Sequence, residues 1–251
     1  RVEVLRGPQG TLWGRNTTAG AISFITQKPD DQLSFGARLT AGSWDLRSGR
    51  VRLNVPVTDR FFARVAYMRT QNDGWVDNLN ATLPNQINFN EDHKKEAMKA
   101  ALRFRATENV TFDYGYDRSE MIFGNHFYQI IAGPAAVPGR QEAANRIRGL
   151  EPSDTEVSGH NLTLSWTLGD LTLKSITAYR DLDSEINMNF IDVFTQDRTM
   201  EQDQLSQELQ LIGETADGRV NYVTGLFYIE EEADETLASL FAGGRLVDAW
   251  V

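Results

Sequence analysis

What most constrains this chain is a period of two, apolar then polar, held over segments too long for an ordinary soluble strand. Leu33, Phe35, Ala37, Leu39 and Ala41 alternate with Ser34, Gly36, Arg38 and Thr40. Val51, Leu53 and Val55 do the same, as do Phe61, Ala63, Val65 and Tyr67, although Phe62 falls on the polar phase. The pattern returns at Met98–Ala106, Val110–Asp117, Leu162–Leu168 and Leu205–Leu211, and Leu171–Leu182 and Val220–Ile229 also read as strands. A strand places successive side chains on opposite faces, so this pattern means one apolar and one polar face. The reading gives about nine antiparallel strands of roughly 9–13 residues, where soluble strands average about 5–6. Outside them only Gln141–Arg148 reads as a short helix, inside a loop.

The polar phase is heavily charged. Arg38, Arg50, Arg52, Arg64, Lys99, Arg103, Arg105, Asp113 and Glu208 share it. A charge on the lipid side of a bilayer costs about 2–4 kcal/mol at the midplane, so such a set belongs in a wet lumen. Trp166, Phe104, Tyr116, Phe35 and Phe61 lie near strand ends, where aromatic girdles sit. A half-buried soluble sheet also alternates, but strand length favours the membrane.

Loop lengths agree. Short connections (Pro56–Asp59, Thr107–Glu108, Gly169-Asp170, Glu214–Gly218) alternate with long ones (Gln71–His93, Met121–Asp154, Asn187–Thr199). In an up-and-down meander alternate connections share a rim, so short turns gather at one end and long loops at the other, as in outer-membrane barrels. The brief Gly42–Leu46 falls on the long-loop side.

Composition removes other classes. There is no cysteine, hence no disulfide and no thiol nucleophile. A net charge of −10 argues against a nucleic-acid partner. No apolar run approaches the ~18–20 residues of a membrane helix, which leaves a β-barrel open. His93, His126 and His160 have no ligand spacing, so no metal and no cofactor is expected. The acidic run Glu230–Glu232 with Asp234 and Glu235 reads as a solvated face at the outer end of a strand. No G-x-S-x-G or Ser/His/Asp order is present, and no enzyme activity is expected.

The opening stretch is different. Val2–Leu5 and Ala21–Thr26 are short β-type runs around a segment in which Gly7, Pro8, Gly10, Gly14 and Gly20 recur. Such glycine density makes a turn-rich platform, and it lacks the Gly-Lys-Ser/Thr of a phosphate loop. The VEVLRGP run (Val2–Pro8), the run Gly10–Gly14 and the strand Gly20–Ile22 ending in Lys28-Pro29 closely resemble the last third of the plug of TonB-dependent outer-membrane receptors. Ala19 stands where many members carry glycine.

The resemblance implies an all-β fold: a transmembrane antiparallel β-barrel, partial, with about nine of roughly 22 strands. Residues 1–29 are the C-terminal part of the plug domain and 30–251 the N-terminal part of the barrel. The chain opens at Arg1 without a signal peptide and is expected to be a piece of a longer protein. The family implies a receptor in the outer membrane of a Gram-negative bacterium. It binds a scarce external solute, such as a ferric siderophore, cobalamin or a glycan, and imports it with energy relayed by TonB through a segment not present here. Outer-membrane lipid and lipopolysaccharide are the surrounding partners. A passive porin is the alternative, and a barrel enzyme or a soluble glycan-binding β-protein comes third. The plug motif is carried by Arg6, Gly7, Pro8, Gly10, Gly14 and Gly20. By the family pattern Arg6 docks on a wall carboxylate, for which Glu208 is the candidate. His126, Phe127 and Tyr128, in a long loop, are weaker candidates for ligand contact.

Overall fold

The computed structural model describes residues 1–8, 18–78, 91–124, 132–134, 136, 139, 142–143, 152–190, 194–215, 219–241 and 244–250. Its first unit is a two-stranded hairpin, β1 (Val2–Arg6) with β2 (Gly20–Phe24), in a register running from Val2 opposite Phe24 to Arg6 opposite Gly20.

The remainder is built on one antiparallel sheet of ten strands. In chain order these are β3 (Ser34–Ala41), β4 (Arg47–Pro56), β5 (Phe61–Asn72), β7 (Asp92–Arg105), β8 (Val110–Phe123), β10 (Ser153–Leu168), β11 (Leu171–Phe190), β12 (Phe194–Thr215), β13 (Val220–Phe241) and β14 (Gly244–Trp250). Each pairs with the next, so the sheet is a meander with β3 and β14 at its edges. Two short pieces, β6 (Asp77–Asn78) and β9 (Glu142–Ala143), pair in parallel between the long connections. All nine expected segments are strands, and β14 adds a tenth. Within Gln141–Arg148 the described residues 142–143 are strand rather than helix.

The strands are longer than their alternation suggested. β11 has 20 residues and β12 and β13 have 22 each. The expected long loop Asn187–Thr199 is therefore mostly strand: β11 runs to Phe190 and β12 starts at Phe194. The long connections at that rim are 73–91 and 124–152, and 42–46 and 242–243 join them there as short ones. At the opposite rim all are brief. The tightest joins Leu168 to Leu171, which are paired, through Gly169 and Asp170, with Gly169 at φ +61°. A two-residue hairpin needs a positive φ, which glycine adopts without strain.

Register fixes the faces, because directly paired residues point the same way. The row Arg103–Asp113–Thr163–Ile176–Glu208 lies on one face. So do the rows Arg38–Arg50–Met68 and Arg52–Ala66–Lys99–Asp117. The other face carries Leu53–Val65–Ala100–Tyr116–His160–Tyr179–Leu205 and Phe61–Phe104–Phe112–Leu164. Among the described residues only Phe62 and Val76 are buried hydrophobics, while Leu53, Val65, Leu102, Phe104, Leu162, Trp166 and Leu209 are exposed on the apolar face. A sheet of this size with so little core needs an apolar medium against that face.

The apolar face has a measurable height. On β10 it runs from His160 at the upper girdle to Leu168, with the Tyr116 ring tilted against that of His160 at 4.8 Å between centroids and the Tyr114 hydroxyl 2.7 Å from His160 Nδ1. Nine residues span roughly 30 Å along a strand, or about 23 Å along the normal at a ~40° tilt, which matches the ~25 Å apolar band of an outer-membrane barrel. Above this band the same face turns ionic. Arg118 Nε meets Glu156 at 2.5 Å and Lys94 Nζ meets Glu120 at 2.7 Å. The Arg118 hydrogen bond holds the Glu156 carboxyl below the usual glutamate range. Burial, reinforced by nearby Glu120, pushes Asp154 up.

Candidate functional site

The site begins where the hairpin β1–β2 meets the sheet. The Arg1 amino group donates to the Ile25 carbonyl at 2.9 Å and the Ile25 amide to the Arg1 carbonyl at 2.8 Å, so pairing continues past the ends of the two strands. Gly20 has φ +145°, and a Cβ there would collide with the Leu5 carbonyl oxygen, so glycine is required at this motif position. Arg6, Gly7 and Pro8 lie at the end of β1, with the Gly7 amide donating to the Ala19 carbonyl at 3.3 Å. Gly10 and Gly14 lie outside the described residues, as do His126, Phe127 and Tyr128.

Two attachments fasten the hairpin's exit to the sheet. The first is a cation on a wall carboxylate. Lys28 Nζ lies 2.7 Å from Asp113 Oδ2, and Arg103 takes the same carboxylate bidentately, Nε to Oδ1 at 2.6 Å and Nη2 to Oδ2 at 3.0 Å. Asp113 is the buried member, its side chain 15% exposed against 59% for Lys28. This contact identifies the charged face of the sheet as the one the hairpin occupies, the lumen face.

The second attachment is neutral. Asn54, 1% exposed, donates Nδ2 to the Asp30 carbonyl at 3.0 Å, to Asp30 Oδ1 at 2.9 Å and to the Gln32 carbonyl at 2.7 Å. Its Oδ1 accepts the Asp30 amide at 3.3 Å. One buried amide side chain thus satisfies the backbone of a bend that pairs with no strand, which such a bend requires. Pro29, just before it, is buried. Nearby, Phe62 is buried on the lumen face with the Arg105 guanidinium 4.8 Å from its ring centroid. An aromatic ring beneath a cation explains why an apolar residue sits in the polar phase.

Glu208 is on the lumen face, in the row of Asp113, and its Oε1 accepts a hydrogen bond from Gln210 Nε2 at 2.6 Å. The sequence reading anticipated a plug cation on a wall carboxylate and named Arg6 and Glu208 for it. An attachment of that kind is made by Lys28 and Asp113. Lys28 entered the sequence reading only in the Lys28-Pro29 that ends the plug-like motif. The available signal was Asn54, an amide that follows Arg50 and Arg52 in the polar phase of β4. Among the described residues no group of three or more His, Cys, Asp or Glu is arranged to hold a metal.

No family model matches the chain. Among curated proteins it is 36% identical over 59 residues to the metal-pseudopaline receptor CntO of Pseudomonas aeruginosa, a stretch covering 24% of this chain and 8% of that receptor. It is 29% identical over 123 residues to the iron-regulated outer membrane virulence protein of Vibrio cholerae, covering 43% and 19%. Among solved structures, the ferric yersiniabactin uptake receptor FyuA of Yersinia pestis superposes with a TM-score of 0.80 at 19% identity, over 97% of this chain and 38% of that one. The pyoverdine receptor FpvA of Pseudomonas aeruginosa, bound to pyoverdine, gives 0.70 at 16% identity, over 96% and 36%. The chain spans well under half the length of each of them. The chain thus shares its fold with solved outer-membrane receptors, and stretches of its sequence are similar to receptors of the Gram-negative outer membrane, in keeping with its resemblance to the TonB-dependent receptors.

Proposed function

We propose that the chain is the plug end and first barrel portion, residues 1–29 and 30–251, of a receptor that binds a scarce metal chelate outside the cell. The receptor imports this solute by moving the plug with energy relayed by TonB. It catalyses no bond chemistry. The observation that carries this reading is the two-point attachment of the hairpin: a neutral clamp at Asn54 and an ionic contact at Asp113. A passive channel needs neither. A metal chelate of the siderophore type is favoured over cobalamin or a glycan because the relatives are named for metal-pseudopaline and ferric yersiniabactin.

The test uses the full-length gene. Deleting it is expected to abolish energised uptake of radioactive iron supplied as one member of a siderophore panel, and restoring it to recover uptake only when TonB is present. Uptake that persists without TonB, together with conductance of the purified protein in liposomes, would replace the reading with a passive porin.

A further inference from the structure

The lumen face of β3, β4, β5 and β7 holds a cavity of about 870 Å³ that the attachments above do not use, lined on the hairpin side by Phe24 and Thr26. Its wall carries Arg38, Arg50, Arg52 and Lys99. Arg38 is directly opposite Arg50, and Arg52 shares a row with Lys99 through Ala66. Like charges directly opposite on neighbouring strands are destabilising, so this pairing works against the stability of the empty sheet.

Among the described residues no free carboxylate offsets it. Of the described residues that line the cavity, the only carboxylate is Asp117, which Arg180 Nη1 already holds at 2.5 Å. Among the described residues none of the four cations is in an ion pair. The plug segment Arg1–Pro29 has one acidic residue, Glu3, and Arg1 takes it at 2.6 Å. Nor is the charge a reflection of composition, since the chain as a whole carries −10. The glycine at position 36 sharpens the point: a Cβ there would lie 2.6 Å from Arg52 Nε, so the missing side chain lets this guanidinium lie flat across β3. One row below, Arg64 has a buried Nη1 without a hydrogen-bond partner, and below that come Arg103 and Lys28 on Asp113. The cations therefore form a ladder down one wall.

We propose that this wall is an anion-selective face of passage, and that the solute moving between plug and wall carries net negative charge on oxygen ligands such as carboxylates or catecholates. The proposal rests on the reading that a solute passes the plug. Arg38 and Arg50 meet it first, Arg52 and Lys99 next, and Arg64 receives it above the Asp113 contact. In a narrow lumen with low-dielectric walls, a row of fixed cations concentrates anions and excludes cations.

The full-length receptor in a planar bilayer, its plug loosened with urea, tests this without knowledge of the solute. Under a potassium chloride gradient the reversal potential is expected to report chloride selectivity. R38Q/R50Q and R52Q/K99Q are each expected to lower the chloride-to-potassium permeability ratio about twofold or more. The charge-conserving R38K/R50K is expected to keep it, which separates charge from shape. Potassium selectivity of the unsubstituted receptor, or a ratio unchanged with glutamine at all four positions, overturns the proposal. Neither result depends on TonB, so failure here leaves the import reading standing, and loss of TonB-dependent uptake leaves this one.

Discussion

Asp113 is held from two sides by groups of unequal worth. The Arg103 grip is bidentate and half-buried, whereas Lys28 is largely exposed. Lys28 can therefore leave without stranding a bare carboxylate, as the proposed movement of the plug requires, while Arg103 cannot. In thermal unfolding of the full-length receptor in detergent, Lys28→Met is expected to cost no more than about 1 kcal/mol, since exposed pairs contribute little. Arg103→Met is expected to cost on the order of 2 kcal/mol or more, because it leaves a part-buried anion with only an exposed lysine. Equal losses would place the two cations on one footing and remove the latch. Arg6 and Glu208 stay as a proposed second attachment. Replacing either with Ala is expected to let large antibiotics leak in, and the double replacement to be little worse than one; additive losses would show that the two act separately. The kind of contact was readable from residue types, because a cation in a lumen needs an anion. The identity of the partners was not, because it depends on where a nine-residue joint bends, and that is set by one buried amide, Asn54.

At the scale of elements, the lower half of each strand was legible and the upper half was not, for one reason. Alternation survives only where one side of the strand faces lipid. On β11 it holds from Leu171 to Tyr179 and then dissolves into Arg180-Asp181-Leu182-Asp183-Ser184-Glu185, where both faces meet water. The strand continues there on backbone pairing and on cross-strand polar contacts such as Arg180 with Asp117 and Ser184 with Thr155, and a polar stretch of that kind reads as loop. Cysteine at Asp183 or Gly139 is accordingly expected to react with an impermeant maleimide on whole cells, and cysteine at Glu108 only once the outer membrane is opened. The native chain has no cysteine to confuse the result. The reverse pattern would invert the sheet in the membrane.

The same upper segments make a pH prediction. Arg118 lowers the Glu156 pKa relative to the unfolded chain, so the pair stabilises the folded state above the ordinary glutamate value of 4.5 and loses that contribution as pH falls through the lower folded value. The difference in melting temperature between the native receptor and Arg118→Gln is expected to be constant above that value and to shrink below it. Both side chains are roughly two-fifths exposed, so the difference is small and vanishes in high salt. A gap that widens in acid would mean that Arg118 acts through something other than Glu156.

For the molecule as a whole, the decisive quantity is what the sheet leaves uncovered. With two buried hydrophobic residues among those described, the fold has no interior of its own, and its apolar side is a surface in search of a solvent. Lipid supplies that solvent, since among the described residues the ten strands pair in succession and the sheet leaves its two edges, β3 and β14, to further partners. Trp166 tests this directly. It is 43% exposed on the apolar face, paired with Val110 on one side and Leu173 on the other, one step from the short-turn rim. In the full-length receptor reconstituted with brominated lipid, the fluorescence lost on replacing Trp166 with Phe is expected to belong to a quenched component. Quenching is expected to be stronger when bromine sits near the headgroup than at the end of the acyl chain, because a girdle tryptophan lies at the interface. A Trp166 signal indifferent to bromine at any depth would turn this face inward and undo the assignment of the charged face to the lumen, and the anion wall with it.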